Sequence, residues 1–402
     1  MLGRVLITDG EDRSSLAACR TLHAAGYRVT CVHVLRTAPA AWSRRVAAAR
    51  RLPDPRIDAD AFVDGLVEIV SAQRHHVVIP GGDGALLAIS RQRERLEPHV
   101  GLGLPPHEAV ERSLDKLATG EAAERAGIPA PASLACSTAA EAAAAAEQAG
   151  YPVLVKPRRT VFRDGSWLRH QSSLWVSEPA ELDDALRLAG NEWLIQPAVE
   201  GAVHSFSGVR TPDGLIAQAL SRYVRTWPAQ AGNASFAHTI PVLPALAARV
   251  EAMLADLGWV GIFEVELIGR PDGGFATLDL NPRVFGTLAL VSAAGAPLAE
   301  VWCRWLGGQA TEPAIARPGV RYRWEDAELR NAVRHMRRGQ LRGALAVAHP
   351  RRRVAHAFFA AGDPVPALAR AAWLAAPGRR RLWAAPDAMV APAPRRVPVQ
   401  AP

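Results

Sequence analysis

Between Gly258 and Gly286 the chain reads GWVGIFEVELIGRPDGGFATLDLNPRVFG, and its acidic side chains are spaced for metal chemistry. FEVELIG alternates apolar and polar residues, Pro271-Asp272-Gly273-Gly274 supplies a turn, and FATLDL forms a second short strand, so the stretch is predicted to be a β-hairpin. Glu264 and Glu266 then share one face of the first strand. Asp279 and Asn281, two residues apart, share a face of the second, and Arg283 follows the proline. Carboxylates and an amide on adjacent strands form an oxygen-rich set suited to Mg²⁺, with Mn²⁺ a second choice. Mg²⁺ takes few protein ligands and completes its shell with phosphate oxygens. The same alternation also fits a hairpin edge that faces solvent.

The lysines add a second constellation. Lysine and arginine together number 47, and only Lys116 and Lys156 are lysines. A chain that uses arginine almost everywhere and keeps lysine at two positions suggests sites that need a compact point charge rather than a planar fork. Phosphate oxygens are a natural partner for such a charge. A composition biased toward arginine would leave the same two lysines by accident.

Four segments then fall in a telling order: SLDKLATGEAAERAGIPAPAS, GYPVLVKP, WLIQPAVEG, and FEVELIG with LDLNPR. Over roughly residues 4–305 this order resembles the ATP-grasp superfamily, which includes biotin carboxylase, carbamoyl-phosphate synthetase, D-alanine ligase and many carboxylate-amine ligases. The resemblance implies an α/β fold in which an N-terminal parallel α/β domain (1–104) precedes an α+β ATP-grasp domain (105–310, lobes 105–192 and 193–310). A basic, mainly helical extension (311–383) and a disordered tail (384–402) would follow.

It also implies roles. Lys116 and Lys156 would contact the phosphates of ATP, and Gln196 and Val199 would line the adenine pocket of the WLIQPAVEG hinge. Glu200 or His204 would take the ribose, because Ala202 and Val203 stand where many relatives carry an acid. Glu266, Asp279 and Asn281 would hold Mg²⁺, with Arg283 and Lys156 as catalytic cations. The implied activity is a ligase that makes an acyl phosphate from a small carboxylate, passes the acyl group to an amine, and releases ADP and phosphate. The competing reading is an ATP-grasp fold that has lost turnover and survives as a nucleotide- or partner-binding protein. Two departures support it: the ribose acid is absent, and RRTVFRDGSWLRH carries only Gly165 where many relatives have a glycine-rich loop. Arg158, Arg159 and Arg163 could replace the missing donors or form a solvated basic face.

These residues need elements to place them. RVLITDG, DRSSLAACRTLHAAG and YRVTCVHV read as strand, helix and strand. A helix near 60–73 and the strand HVVIP continue the alternation, predicting a parallel sheet. The turn at Gly10 is a weak phosphate site. Pro80-Gly81-Gly82-Asp83 ends a strand where such sheets place ligands, with Asp83 read as a helix N-cap. Asp115-Lys116 is placed within a helix that stops at Gly127. PASLACS is a strand, TAAEAAAAAEQAG a helix, and PALAARVEAMLADLG an amphipathic helix leading into the hairpin. HSFSGVRTPDGLIAQALSRYVRTW forms two strands, from which Arg222 and Arg225 could clamp a carboxylate or face solvent.

The formal net charge is +8, and from Arg317 onward 17 Arg stand against 5 acids, a balance of +12 that leaves about −4 for the rest. Basicity therefore belongs to the C-terminal part. With Trp373 and Trp383 its arginine clusters could touch an anionic surface or partner, but no nucleic-acid motif is present, and a solvated helical appendage is the expectation. Cys19, Cys31, Cys136 and Cys303 lack metal spacing, no apolar run reaches spanning length, and Asp9, Glu11 and Asp12 interrupt any leader segment, so a cytoplasmic protein is expected.

Overall fold

The computed structural model describes residues 2–376 apart from 165–166, 171–172, 190–191, 229–231, 310 and 350–352, with backbone alone described for 161–170, 188, 189 and 348. Its first layer is a parallel sheet of β1 (Arg4–Ile7), β2 (Arg28–His33), β3 (Ala48–Arg51) and β4 (Val77–Ile79), in the order β3-β2-β1-β4. Helices α1 (Arg13–Ala24), α2 (Ala59–Ala72), α3 (Asp83–Arg91) and α4 (Arg93–Leu96) flank it. Val5 and Ile7 bury one face and Leu6 the other, as period-2 alternation on a doubly covered sheet requires.

Next come α5 (His107–Leu114) and α6 (Lys116–Arg125), which the sequence joins and the structure separates. Asp115 takes extended backbone and its carboxylate accepts from the amide of Leu117, so it caps α6 and makes Lys116 the first helical residue.

The second sheet is antiparallel: β5 (Leu134–Cys136), β6 (Val153–Pro157), β9 (Leu174–Val176) and β10 (Trp193–Pro197), in the order β5-β10-β6-β9. Between β6 and β9, β7 (Val161–Asp164) and β8 (Trp167–His170) pair as a hairpin. Helices α7 (Ala139–Ala149), held at its start by a Thr138–Glu141 capping box, and α8 (Leu182–Ala189) back this sheet.

The third and largest sheet runs β15-β14-β11-β12-β13-β17-β18. Its strands are β11 (Val203–Thr211), β12 (Gly214–Trp227), β13 (Asn233–Ile240), β14 (Gly261–Gly269), β15 (Phe275–Asn281), β16 (Ala314–Ile315, beside β12), β17 (Arg321–Arg323) and β18 (Val354–His356). Helix α9 (Pro244–Leu257) lays Leu246, Val250, Met253, Leu254 and Leu257 against Phe206, Phe263 and Val265, each such burial contributing about 1.5–3 kcal/mol. Gly258, at φ +71, ends α9 in the left-handed region and turns the chain into β14. Helices α10 (Leu288–Ala293) and α11 (Leu298–Leu306) join the large sheet to α1.

The C-terminal part is mainly helical, with α12 (Glu325–Arg337), α13 (Leu341–Ala348) and α14 (Val365–Ala375). It is not a solvated appendage. Its strands β17 and β18 extend the large sheet, and Asp363 accepts from Nε of Arg20, Oγ of Ser43 and the amide of Arg44. Trp373 lies under the guanidinium of Arg370, which pairs with Asp326. Trp383 and residues 384–402 lie outside the described residues.

Candidate active site

Strands β14 and β15 set Glu266 directly opposite Asp279, and Glu264 opposite Asn281. The two glutamates share a face but live in different surroundings. Glu264 is buried and accepts from Ser205 Oγ at 2.7 Å, Tyr223 OH at 3.1 Å, Thr287 Oγ1 at 3.2 Å and Asn281 Nδ2 at 3.1 Å. Four donors saturate its lone pairs, so Glu264 is an anchor for the hairpin. Glu266 is half-buried at the edge of a cleft, and its carboxyl is pushed up to about 8 by burial, then by the charges of Glu264 and Asp279.

The cleft, about 270 Å³, takes walls from the second and third sheets. Leu154, Trp175 and Gln196 face Val203, Ile268 and Leu278 in its apolar part, and Lys116, Lys156, Thr160, Glu266, Asp279, Asn281 and Arg283 line its polar end. Lys156, near the end of β6, is buried, with Nζ 3.5 Å from the carbonyl of Leu278. Burial pulls its ammonium down to about 8, against the opposing charge of Asp279, while Lys116 lowers it further. Lys116 Nζ donates to Thr160 Oγ1 at 2.7 Å and lies 3.6 Å from Asp279 Oδ1. Two ammoniums and two carboxylates thus meet at one end of the cleft.

Arg283 is half-buried in an ion pair with the buried Asp83, and its Nη2 donates to Asn281 Oδ1 at 3.3 Å. Burial opposes its charge, but Asp83, with Asp12 and Asp9, holds it firmly protonated. Asp83 is therefore not an N-cap. Gly82 occupies that position, and Asp83 heads α3 as the partner of Arg283. The turn at Gly10 is equally unsuited to phosphate, since Asp9 and Asp12 flank it and burial with the Asp12 charge pushes Asp9 up to about 7.

The other sequence candidates fall as follows. Gln196 is buried at the cleft, donating to Ser133 Oγ at 2.9 Å while its Oε1 has no partner, and Val199 lines the mouth. Glu200 is exposed and is not among the lining residues, nor is His204, whose Nδ1 lies 2.8 Å from the carbonyl of Ala202 and whose ring meets Phe275 edge-on. Arg158 pairs with Asp115 at 2.7 Å and Arg159 lies 3.8 Å from the same carboxylate, so neither forms a free basic face. Gly165 and the Arg163 side chain lie outside the described residues. Arg225 is committed to Glu328, and Arg222 is exposed on the opposite face of the sheet. Thr160, Trp175, Tyr223, Thr226 and Asn233 went unnoticed in sequence, since nothing local marks them.

Mg²⁺ chemistry fits the donor set. Glu266 and Asp279 repel each other, which a cation between them relieves, and Asn281 Oδ1 keeps a second lone pair beside the one given to Arg283. Among the described residues no group of three or more His, Cys, Asp and Glu forms a protein-only metal cage.

No family model matches the chain. The carbamoyl phosphate synthase large chain of Neisseria meningitidis serogroup A is 26% identical over 315 residues, covering 72% of this chain and 28% of that one. Staphylococcus aureus N5-carboxyaminoimidazole synthetase complexed with ADP superposes with a TM-score of 0.61 at 15% identity, covering 79% of this chain and 80% of that one. The relatives in sequence and in structure agree on the ATP-grasp fold for this chain. A second ATP-grasp-like structure, the biotin carboxylase domain of Hydrogenobacter thermophilus 2-oxoglutarate carboxylase with MgADP, ADP and bicarbonate, has a TM-score of 0.58 at 15% identity, covering 79% and 73%. The chain spans about a quarter of the length of the curated relatives it matches. Among its described residues no helix is long and apolar enough to cross a membrane.

Proposed function

We propose that this chain is an ATP-dependent carboxylate-amine ligase that works through an acyl phosphate. The observation that carries the reading is the meeting of Lys116 and Lys156 with Glu266 and Asp279 at one end of the cleft. The adenine would lie among Leu154, Trp175, Val203 and Ile268, with the unpartnered Gln196 Oε1 as an acceptor for its exocyclic amine. The phosphates would draw Lys116 and Lys156 away from Asp279, freeing that carboxylate with Glu266 and Asn281 to hold Mg²⁺. The metal supplies charge neutralisation on the transferring phosphoryl group.

A carboxylate oxygen of the substrate would attack the terminal phosphorus as the bond to ADP breaks. An amine would then displace phosphate from the acyl phosphate and lose its proton, leaving an amide. Arg283, fixed by Asp83 and Asn281, would stabilise negative charge on the acyl-phosphate side of the cleft. ADP release measured over a panel of carboxylate and amine pairs tests the reading. Turnover that survives Glu266→Ala with Asp279→Ala contradicts it.

A further inference from the structure

On the face of the large sheet opposite the cleft, four strands bring their basic residues into one row. His204 of β11 stands directly opposite Arg222 of β12, Arg222 opposite His238 of β13, and His238 opposite Arg321 of β17. At about 4.8 Å per strand the row spans about 14 Å, with Arg222 and Arg321 about 10 Å apart. Its two fixed charges, Arg222 and Arg321, are separated by an imidazole and leave positive charge on this face for an anion to answer.

The neighbouring row along the same strands shows how the fold treats such charges elsewhere. There Arg225 is held by Glu328, Arg323 donates to the carbonyls of Val347 and His349, and His356 lies 3.4 Å from Glu325, all beneath α12 and α13. On the other side Phe206, Leu220 and Ile240 pass beneath α9. The row lies in the groove between these helices, with Arg222 and Arg321 exposed. Neither guanidinium has an ion-pair or hydrogen-bond partner among the described residues. Beyond burial and the Ala202 carbonyl, the charges acting on the two imidazoles are those of Arg222, Arg321 and His238, and all lower them.

We infer that this row is a second ligand site, separate from the nucleotide cleft, for a small molecule carrying two or more phosphate groups. Arg222 and Arg321 take one anionic group each by their planar forks, and His238 between them bridges the two.

Tripolyphosphate is a suitable probe, titrated by calorimetry into the full chain carrying Lys116→Ala and Lys156→Ala, so that the cleft lysines do not contribute. One saturable site is expected, at least about ten-fold tighter than for inorganic phosphate, and weakened by about ten-fold or more when Arg222→Ala and Arg321→Ala are added. Absence of saturable binding, or an affinity indifferent to the two arginines, overturns the assignment. Should the multiple variant misfold, the imidazole resonances of the unaltered chain answer the same question. Movement of the His238 signals with tripolyphosphate supports the site, and unmoved signals overturn it.

Discussion

Asp83 and Arg283 are 200 residues apart in sequence and form an ion pair in which the guanidinium Nε donates to the carboxylate. The pair joins the C-terminal end of the parallel sheet to the end of the carboxylate hairpin, so a residue of the first layer positions a cation of the candidate active site. Removing one partner of a buried pair leaves the other uncompensated, so Asp83→Ala is expected to lower stability by about 3–5 kcal/mol. Asp83→Asn, which keeps an acceptor for Arg283, should cost less. Denaturant melts of the two variants check the order.

Glu264 and Glu266 share a face yet should respond differently to substitution. Glu264→Ala strands the donors of Ser205, Tyr223, Thr287 and Asn281 in the interior and is expected to cost at least about 3 kcal/mol. Glu266→Gln removes a carboxylate repelled by its neighbours and should leave the free protein as stable or more so near neutral pH, while weakening Mg²⁺-dependent nucleotide binding. Thermal melts with and without the metal nucleotide separate the two effects.

The pH dependence follows in sign from the same residues. The folded state raises Glu266 from its ordinary 4.5 to about 8, so its contribution is fully present below 4.5 and is lost as pH rises through 8. Lys156 is lowered from 10.5 to about 8, so the folded state releases its proton first and stability recovers between pH 8 and 10.5. A melting temperature that falls from pH 5 to 8, with the slope flattened by Glu266→Gln or by Mg²⁺ with nucleotide, is the expected profile.

The C-terminal part holds the rim of the cleft. Glu328 of α12 accepts from Arg225 and from Ser235 Oγ at 2.8 Å, and Asn331 donates to the carbonyl of Thr226 at 3.2 Å, while Thr226 and Asn233 line the cleft. Deletion from 317 onward removes β17, β18 and Asp363 and should yield insoluble protein, which an expression and melting comparison reads directly.

Much of this arrangement was legible in sequence because it is encoded locally. The β14–β15 hairpin shows in its alternation and turn, α9 in its spacing and Gly258, and the cleft lysines stand out because the composition avoids lysine. What stayed hidden depends on distant partners. Nothing near Glu264 says that Ser205, Tyr223 and Thr287 will surround it, and the resemblance alone gave no hint that His204 turns to Phe275 and away from the cleft. Strands β17 and β18 are three residues each, too short to alternate, and arginines suggest solvent until Glu328 and Asp326 are brought to meet them. Asp115 broke a predicted helix because its side chain competes for the amide of Leu117.

The most direct test is calorimetric titration of ATP with and without Mg²⁺ into the wild-type chain and into Lys156→Ala. The account predicts saturable, metal-dependent binding to the wild type, weakened by at least about ten-fold, or ~1.4 kcal/mol, in the variant. Absence of binding to the wild type, or binding indifferent to both Mg²⁺ and Lys156, would contradict it.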